Sequence, residues 1–403
     1  MRPRLAVLLL FALAAPALSQ APSWPAREAE PATLAPLFPQ SATVQRQLLA
    51  AAHQGGDAAA VRMGLTRLAA LGYAPTEQTL TTLAPHLPAA DMEALRLRFA
   101  ANRATVQASR LFVTVPAEHR LVEGIAWDDR TDRLFAATVV GRALLVRGGS
   151  GVWRAVRGVD AGSLFGLALD PRRGGINHLL WVGSGRVEQT PSPDTAFRGL
   201  IAIDVDSLRV VRRIAAPAGV SPADIAVGPD GTVYAADPVG GGVYRAGPGE
   251  RALSVLVPPG HFASPQGLVV TNNGLRVYVS DYTRGLAMIT TWDGRVTRVE
   301  SDVDTMLDGI DGLTAWQGGL IAIQNGTNPR RILHLTLSGD GRRVARARVL
   351  ESNNPDWGEP TLGFVRRDQF LYVADAQWER YGPAGAPADA EPPRPTAIRF
   401  LRP

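Results

Sequence analysis

From about Arg110 onward the apolar residues follow a period of two, and one phrase keeps returning. It consists of a turn residue, then Gly or Asp, a run of branched apolar residues, an Asp/Asn-Gly type turn and a second apolar run. Its copies are Glu123-Gly124-Ile125-Ala126-Trp127, Phe165-Gly166-Leu167-Ala168-Leu169 and Ala223-Asp224-Ile225-Ala226-Val227. They continue with Gln266-Gly267-Leu268-Val269-Val270, Asp311-Gly312-Leu313-Thr314-Ala315 and a weaker Leu362-Gly363-Phe364-Val365. Successive copies lie 42 to 58 residues apart, the spacing of propeller blades. Turns such as Asp230-Gly231, Asn273-Gly274 and Asp293-Gly294 separate strand pairs, because Asp-Gly and Asn-Gly favour hairpin geometry. Six phrases therefore predict an all-β, six-bladed propeller over residues 109–403. The run at 111–115 is expected to pair with the last blade, and Ala397 to Leu401 to supply a final strand, so that no sheet edge stays open.

Before residue 109 the period is different. Val44, Leu48, Leu49 and Ala52 stand at helical spacing, and Gly55-Gly56 breaks the pattern. Asp57 is placed to cap a second helix carrying Val61, Leu65, Leu68 and Leu71, with Gly72 past its end. Thr76 opens a third helix with Leu80 and Leu83, and Asp91 lies near the start of a fourth with Met92, Leu95 and Phe99. Residues 41–108 thus read as a small helical segment that docks on the propeller or on an unknown protein partner. Residues 20–40 are rich in Pro and Ala and read as an extended linker. At the N-terminus, Arg2 and Arg4 precede an apolar run from Leu5 to Ala15, and Ala17-Leu18-Ser19 offers a small-x-small cleavage site. Residues 1–19 are accordingly expected to be a signal peptide. No later run is long enough to span a bilayer, so the expectation is a periplasmic or secreted protein with no stable membrane insertion.

Composition removes several chemistries. The chain has no cysteine, and all 42 of its basic residues are arginine. Disulfides, thiolate catalysis, Schiff-base lysines and phosphate-loop lysines are excluded. The net charge is +5, with arginines scattered and no basic run interleaved with aromatics, so no nucleic-acid partner is expected. No Gly-x-Ser-x-Gly elbow occurs, which argues against a serine hydrolase.

The phrases Glu-Gly-x-x-Trp-Asp (123–128), Ser-Pro-Gln-Gly-Leu (264–268) and Asp-Gly-Leu (311–313) resemble the gluconolactonase/regucalcin-like (senescence marker protein-like) six-bladed propellers over about residues 110–380. The resemblance implies that the residue before each Gly points into the central channel. It also implies that a Glu, two Asn and an Asp there hold one divalent metal, with the Asp as general base in lactone hydrolysis. Carried onto this chain, Glu123 and Asp311 match the Glu and the Asp. Gln266 stands where one Asn is expected and Ala223 where the other is, although the next residue, Asp224, is acidic. The metal set is thus Glu123, Gln266 and Asp311, with Asp311 catalytic.

The residues themselves lead to a similar site. Oxygen ligands from separate blades, converging on one channel mouth, suit a hard cation. The candidates are Ca²⁺, Mg²⁺, Mn²⁺ and Zn²⁺. Such a cation polarises a carbonyl and stabilises the oxyanion formed when water attacks it. The other reading of Glu123 and Asp311 is that they are turn carboxylates bound to backbone N–H groups. His119 and His261 lie four and five residues before Glu123 and Gln266 and are candidate proton shuttles; with Asp224 they complete the candidate substrate-binding set. Asp237, Asp281 and Asp375, at recurring strand ends, read as blade-to-blade hydrogen-bond acceptors. Trp316, Trp357 and Trp378 read as core before pocket wall, and Asn325-Gly326-Thr327 as a turn before a glycosylation acceptor. Two functions remain open: an exported metal-dependent lactone or ester hydrolase acting on a small molecule, and a non-catalytic propeller that binds a ligand or a protein partner.

Overall fold

The computed structural model of the chain describes residues 24–403 except 26, 28 and 173–177. The proposed signal peptide, 1–19, lies outside the described residues. Six antiparallel sheets stand in a ring. The first runs outward from Val122–Asp128 through Arg133–Thr138 and Leu144–Arg147 to Trp153–Ala155. The other inner strands are Ser163–Leu169, Ile225–Val227, Pro265–Val270, Ile310–Trp316 and Gly363–Arg366, each touching the next around the ring and the last returning to the first. The fifth sheet gains a short outer strand, Glu300–Ser301, parallel to Arg343–Ser352.

Each sheet is apolar on both faces, so burial needs a neighbour on either side, and a closed ring provides one. Six hydrophobic clusters occupy the six seams. Phe135 of the first blade meets Leu180 and Ile201 of the second, and Trp181 of the second meets Tyr244 of the third. Closure follows the expectation: Arg110–Val115 is the outermost strand of the last blade, paired with Thr396–Leu401. The two ends of the propeller sequence are therefore hydrogen-bonded to one another.

The helices are α1 (Pro31–Leu34), α2 (Ala42–Gln54), α3 (Ala58–Ala70), α4 (Glu77–Leu83) and α5 (Ala89–Asn102). Asp57 and Thr76 cap α3 and α4 by accepting from the N–H groups of Ala60 and Thr79 at 2.9 and 3.3 Å. The inward faces gather Val61, Leu65, Leu80 and Phe99 into one cluster, and Met306 of the propeller completes it. Docking is also polar. The Asp308 carboxylate accepts from the Ala42 and Thr43 N–H groups at 2.8 and 2.7 Å, so a propeller side chain satisfies the N-terminus of α2. Ala74 N–H donates to the Asn328 carbonyl at 2.8 Å. Upstream of α2, Trp24 packs edge-on against Phe38 and against Phe262 of the connection between the third and fourth blades. Among the described residues no helix is long and apolar enough to cross a membrane.

Candidate functional site

Four inner strands carry a β-bulge at the phrase. Register shifts lie between Val122 and Gly124, Leu164 and Leu167, Pro265 and Leu268, and Ile310 and Gly312. A bulge leaves one residue outside the ladder and re-aims its side chain. The residues left over here are Glu123 and Asp311 alone, and Phe165 and Gln266 each with the glycine that follows. Together with Ala223 and Leu362, their counterparts on the other two blades, these four side chains line one cavity of about 310 Å³ at the end of the channel. The glycine that follows each bulge lets the inner strands approach. A Cβ on Gly267 would stand 2.6 Å from the Leu313 nitrogen and 2.7 Å from the Asp311 carbonyl oxygen.

The third blade breaks this rule, with Asp224 in the Gly position. Its carboxylate accepts from the Ile225 N–H at 2.9 Å and from the Leu268 N–H of the next blade at 3.1 Å. Asp224 thereby lines both the cavity and the small space beneath it in the channel, and forms the floor. Burial pushes its carboxyl up to about 7 against these two hydrogen bonds.

Glu123 and Asp311 face the same cavity, each held by a neutral donor. The Trp378 indole N–H donates to Glu123 Oε2 at 2.8 Å. Asn325 Nδ2 donates to Asp311 Oδ2 at 2.7 Å, while its Oδ1 accepts from the Tyr282 hydroxyl at 2.8 Å. Burial first, then the Asp311 charge, holds Glu123 well above the usual carboxylate range, with the Trp378 hydrogen bond opposing. Asp311 is pushed up to about 7 by burial and by the charge of Glu359, against the Asn325 bond. Glu359 also lines the cavity and is itself raised, mainly by burial. With Asp224 four acidic groups line the cavity, and Phe165, Val187 and Leu362 add apolar wall. Gln266 tethers its amide nitrogen to Ser264 Oγ at 3.1 Å, leaving Oε1 as the untied end.

The expected residues are therefore only partly assembled. Glu123, Asp224, Gln266 and Asp311 come together; His119 and His261 do not line the cavity. His119 sits in the turn closed by its N–H on the Pro116 carbonyl, and His261 lies edge-on to Phe262. Trp378, read as core, is a wall residue here. Asp281 and Asp375, read as bridging between blades, accept from the segments that lead from the preceding blade into their own: from the Ala263 N–H at 2.8 Å and the Glu359 N–H at 3.2 Å. Asp237 closes its own turn through the Gly240 N–H. Asn325, Tyr282 and Glu359 were not singled out as site residues. Asn325 directly follows Gly319–Gln324, the second strand of the fifth blade, and only that position at a strand end pointed to it.

Among the described residues no group of three or more His, Cys, Asp or Glu side chains is placed to hold one metal ion. A cation would rest on the Glu123 and Asp311 oxygens, the Gln266 amide oxygen and water. This hard, all-oxygen set with two charges is compatible with Mg²⁺ or Ca²⁺ chemistry.

A family profile described as "Strictosidine synthase-like, N-terminal" matches residues 206–246. No curated protein matches the chain. Among solved structures, a gluconolactonase from Xanthomonas campestris is 19% identical with a TM-score of 0.49, over 75% of this chain and 93% of that one. The PQQ-bound aldose sugar dehydrogenase from Streptomyces coelicolor is 14% identical with a TM-score of 0.47, over 74% and 99%. A calcium-binding protein, regucalcin, from Agrobacterium tumefaciens is 15% identical with a TM-score of 0.48, over 72% and 93%. These neighbours differ in chemistry and select no activity, and the fold stands on the strand pairing itself.

Proposed function

We propose that the protein is a divalent-cation-dependent hydrolase of a lactone or related ester, acting at the channel mouth. The observation that carries this reading is the pair Glu123 and Asp311. Bulges on two separate blades deliver them to one cavity, Glu123 buried and Asp311 partly so, and among the described residues no basic side chain lines it. Paired buried carboxylates are costly unless a cation or a proton joins them. When bound, the cation supplies charge to polarise the carbonyl and stabilise its oxyanion. Asp311, oriented by the Tyr282–Asn325 relay, takes a proton from the attacking water. Water oxygen bonds to the carbonyl carbon, the ring C–O bond breaks, and the leaving oxygen takes a proton. Glu123 is kept in place by Trp378, and the Phe165 side accommodates the hydrocarbon part of the substrate. Export to the periplasm or the medium belongs to this reading and rests on residues 1–19.

The test is metal analysis of protein purified without chelator, followed by a lactone panel with added Ca²⁺, Mg²⁺, Mn²⁺ or Zn²⁺. Loss of the base in Asp311→Asn is expected to lower kcat/KM by about 100-fold or more. No bound metal and no cleaved lactone would defeat the proposal. The reading would then pass to a ligand-binding propeller, consistent with Ala223 and Phe165 offering no ligand atoms.

A further inference from the structure

A second cavity, of about 440 Å³, lies where the helical segment meets the top of the fifth and sixth blades. Its walls come from both parts: Arg46 and Tyr73 from the helices, and Asn325, Asn328, Arg330, Asn353 and Trp357 from the propeller. Neither guanidinium has a carboxylate at ion-pair distance among the described residues. Arg46 lies over the Tyr73 ring, 5.5 Å from its centroid, and Arg330 is anchored on the Gly358 carbonyl. Two positive groups therefore line one concave surface, and the nearest acid acting on either is Glu359, which feels the Arg330 charge without pairing with it.

The asparagines add the complementary half. Asn328 Nδ2 donates to the Ala74 carbonyl at 2.6 Å, and Asn353 Nδ2 to the Arg103 carbonyl at 2.8 Å. Both amides are thus turned by the backbone of the helical segment, which leaves their Oδ1 atoms as the untied acceptors. The Trp357 indole N–H is engaged by the Tyr372 hydroxyl at 2.9 Å, so what this residue offers the cavity is its ring. Guanidinium donors recognise carboxylate or phosphate oxygens, amide oxygens accept from hydroxyls, and an aromatic wall covers C–H surface. Asn325 lines this cavity and donates to Asp311, which lines the first.

We propose that this second cavity binds a hydroxylated small molecule bearing a carboxylate or phosphate, a sugar acid or sugar phosphate in class, and that the helical segment exists in part to complete it. The assignment stands on this cavity alone and does not require that the channel hydrolyse anything.

Calorimetric titration of the full chain tests it, with gluconate, glucose 6-phosphate, neutral glucose and inorganic phosphate as probes. At least one of the two anionic sugars is expected to bind with a Kd of about 1 mM or tighter, and glucose about tenfold more weakly. The tighter of gluconate and glucose 6-phosphate identifies the anionic group. Arg46→Gln changes an exposed side chain, and is expected to weaken that binding about tenfold. Glu123→Gln, which removes a proposed ligand charge of the channel site and whose hydrogen-bond partners line no part of the second cavity, is expected to leave it unchanged, so the two proposals fail separately. Equal binding of glucose and the anions, of inorganic phosphate and the sugars, or of wild type and Arg46→Gln overturns the assignment.

Discussion

Asp224 shows how a single side chain can reverse the sign of a pH effect. Its unfolded value is near 3.8 and its folded value is about 7, so the folded protein binds the proton more tightly. A raised carboxyl contributes stability that is present below about 4 and is lost as pH rises through about 7. Asn at this position stays neutral throughout. The Tm of Asp224→Asn is therefore expected to gain on wild type as pH rises from 5 to 8, in chelator-treated protein followed by thermal melts. A constant difference over that range would mean that Asp224 is already ionised without penalty. The sequence marked Asp224 as an acid beside a lost ligand position. That it stands in the glycine register, under the cavity floor, became visible only from its contact with the Leu268 N–H on the next blade.

At the scale of the element, the bulge and the glycine after it make one device. The bulge sends Glu123 or Asp311 into the cavity, and the glycine lets the next inner strand close up behind it. In Gly267→Ala the new methyl meets backbone atoms at 2.6 and 2.7 Å, which cannot move without parting two strands. The expected loss is about 1–3 kcal/mol, read as a lower denaturant midpoint. Gly149→Ala, where a Cβ meets nothing within 4 Å, is the control and should stay near wild type. The phrase is legible in sequence because the bulge and its glycine are neighbours in the chain. The cap residues Asp57 and Thr76 were legible for the same reason, since each acts on an N–H three residues away.

For the whole molecule, stability depends on a ring that is closed by its two ends. Thr396–Leu401 lies between Arg110–Val115 and Gln369–Val373, so a chain ending at residue 395 loses the strand joining them. Its last blade would keep an open edge and expose apolar surface. Such a truncation is expected to lose the single cooperative unfolding transition and to aggregate, as seen by thermal melting and light scattering; a melt like that of wild type would show that the closure contributes little. Hydrophobic period, turn residues and caps act within a few positions, and from them the sequence by itself determined six blades, the longer helices and the closing strand, while the inward place of Glu123, Gln266 and Asp311 was what the resemblance implied. Only the tertiary structure decided that Asn325, Glu359 and Trp378 join that site, that His119 and His261 stay away, and that Arg46 meets Arg330 across a second cavity. Those side chains come from turns and from separate parts of the fold, where no local period governs direction, and packing between distant segments alone sets where they point.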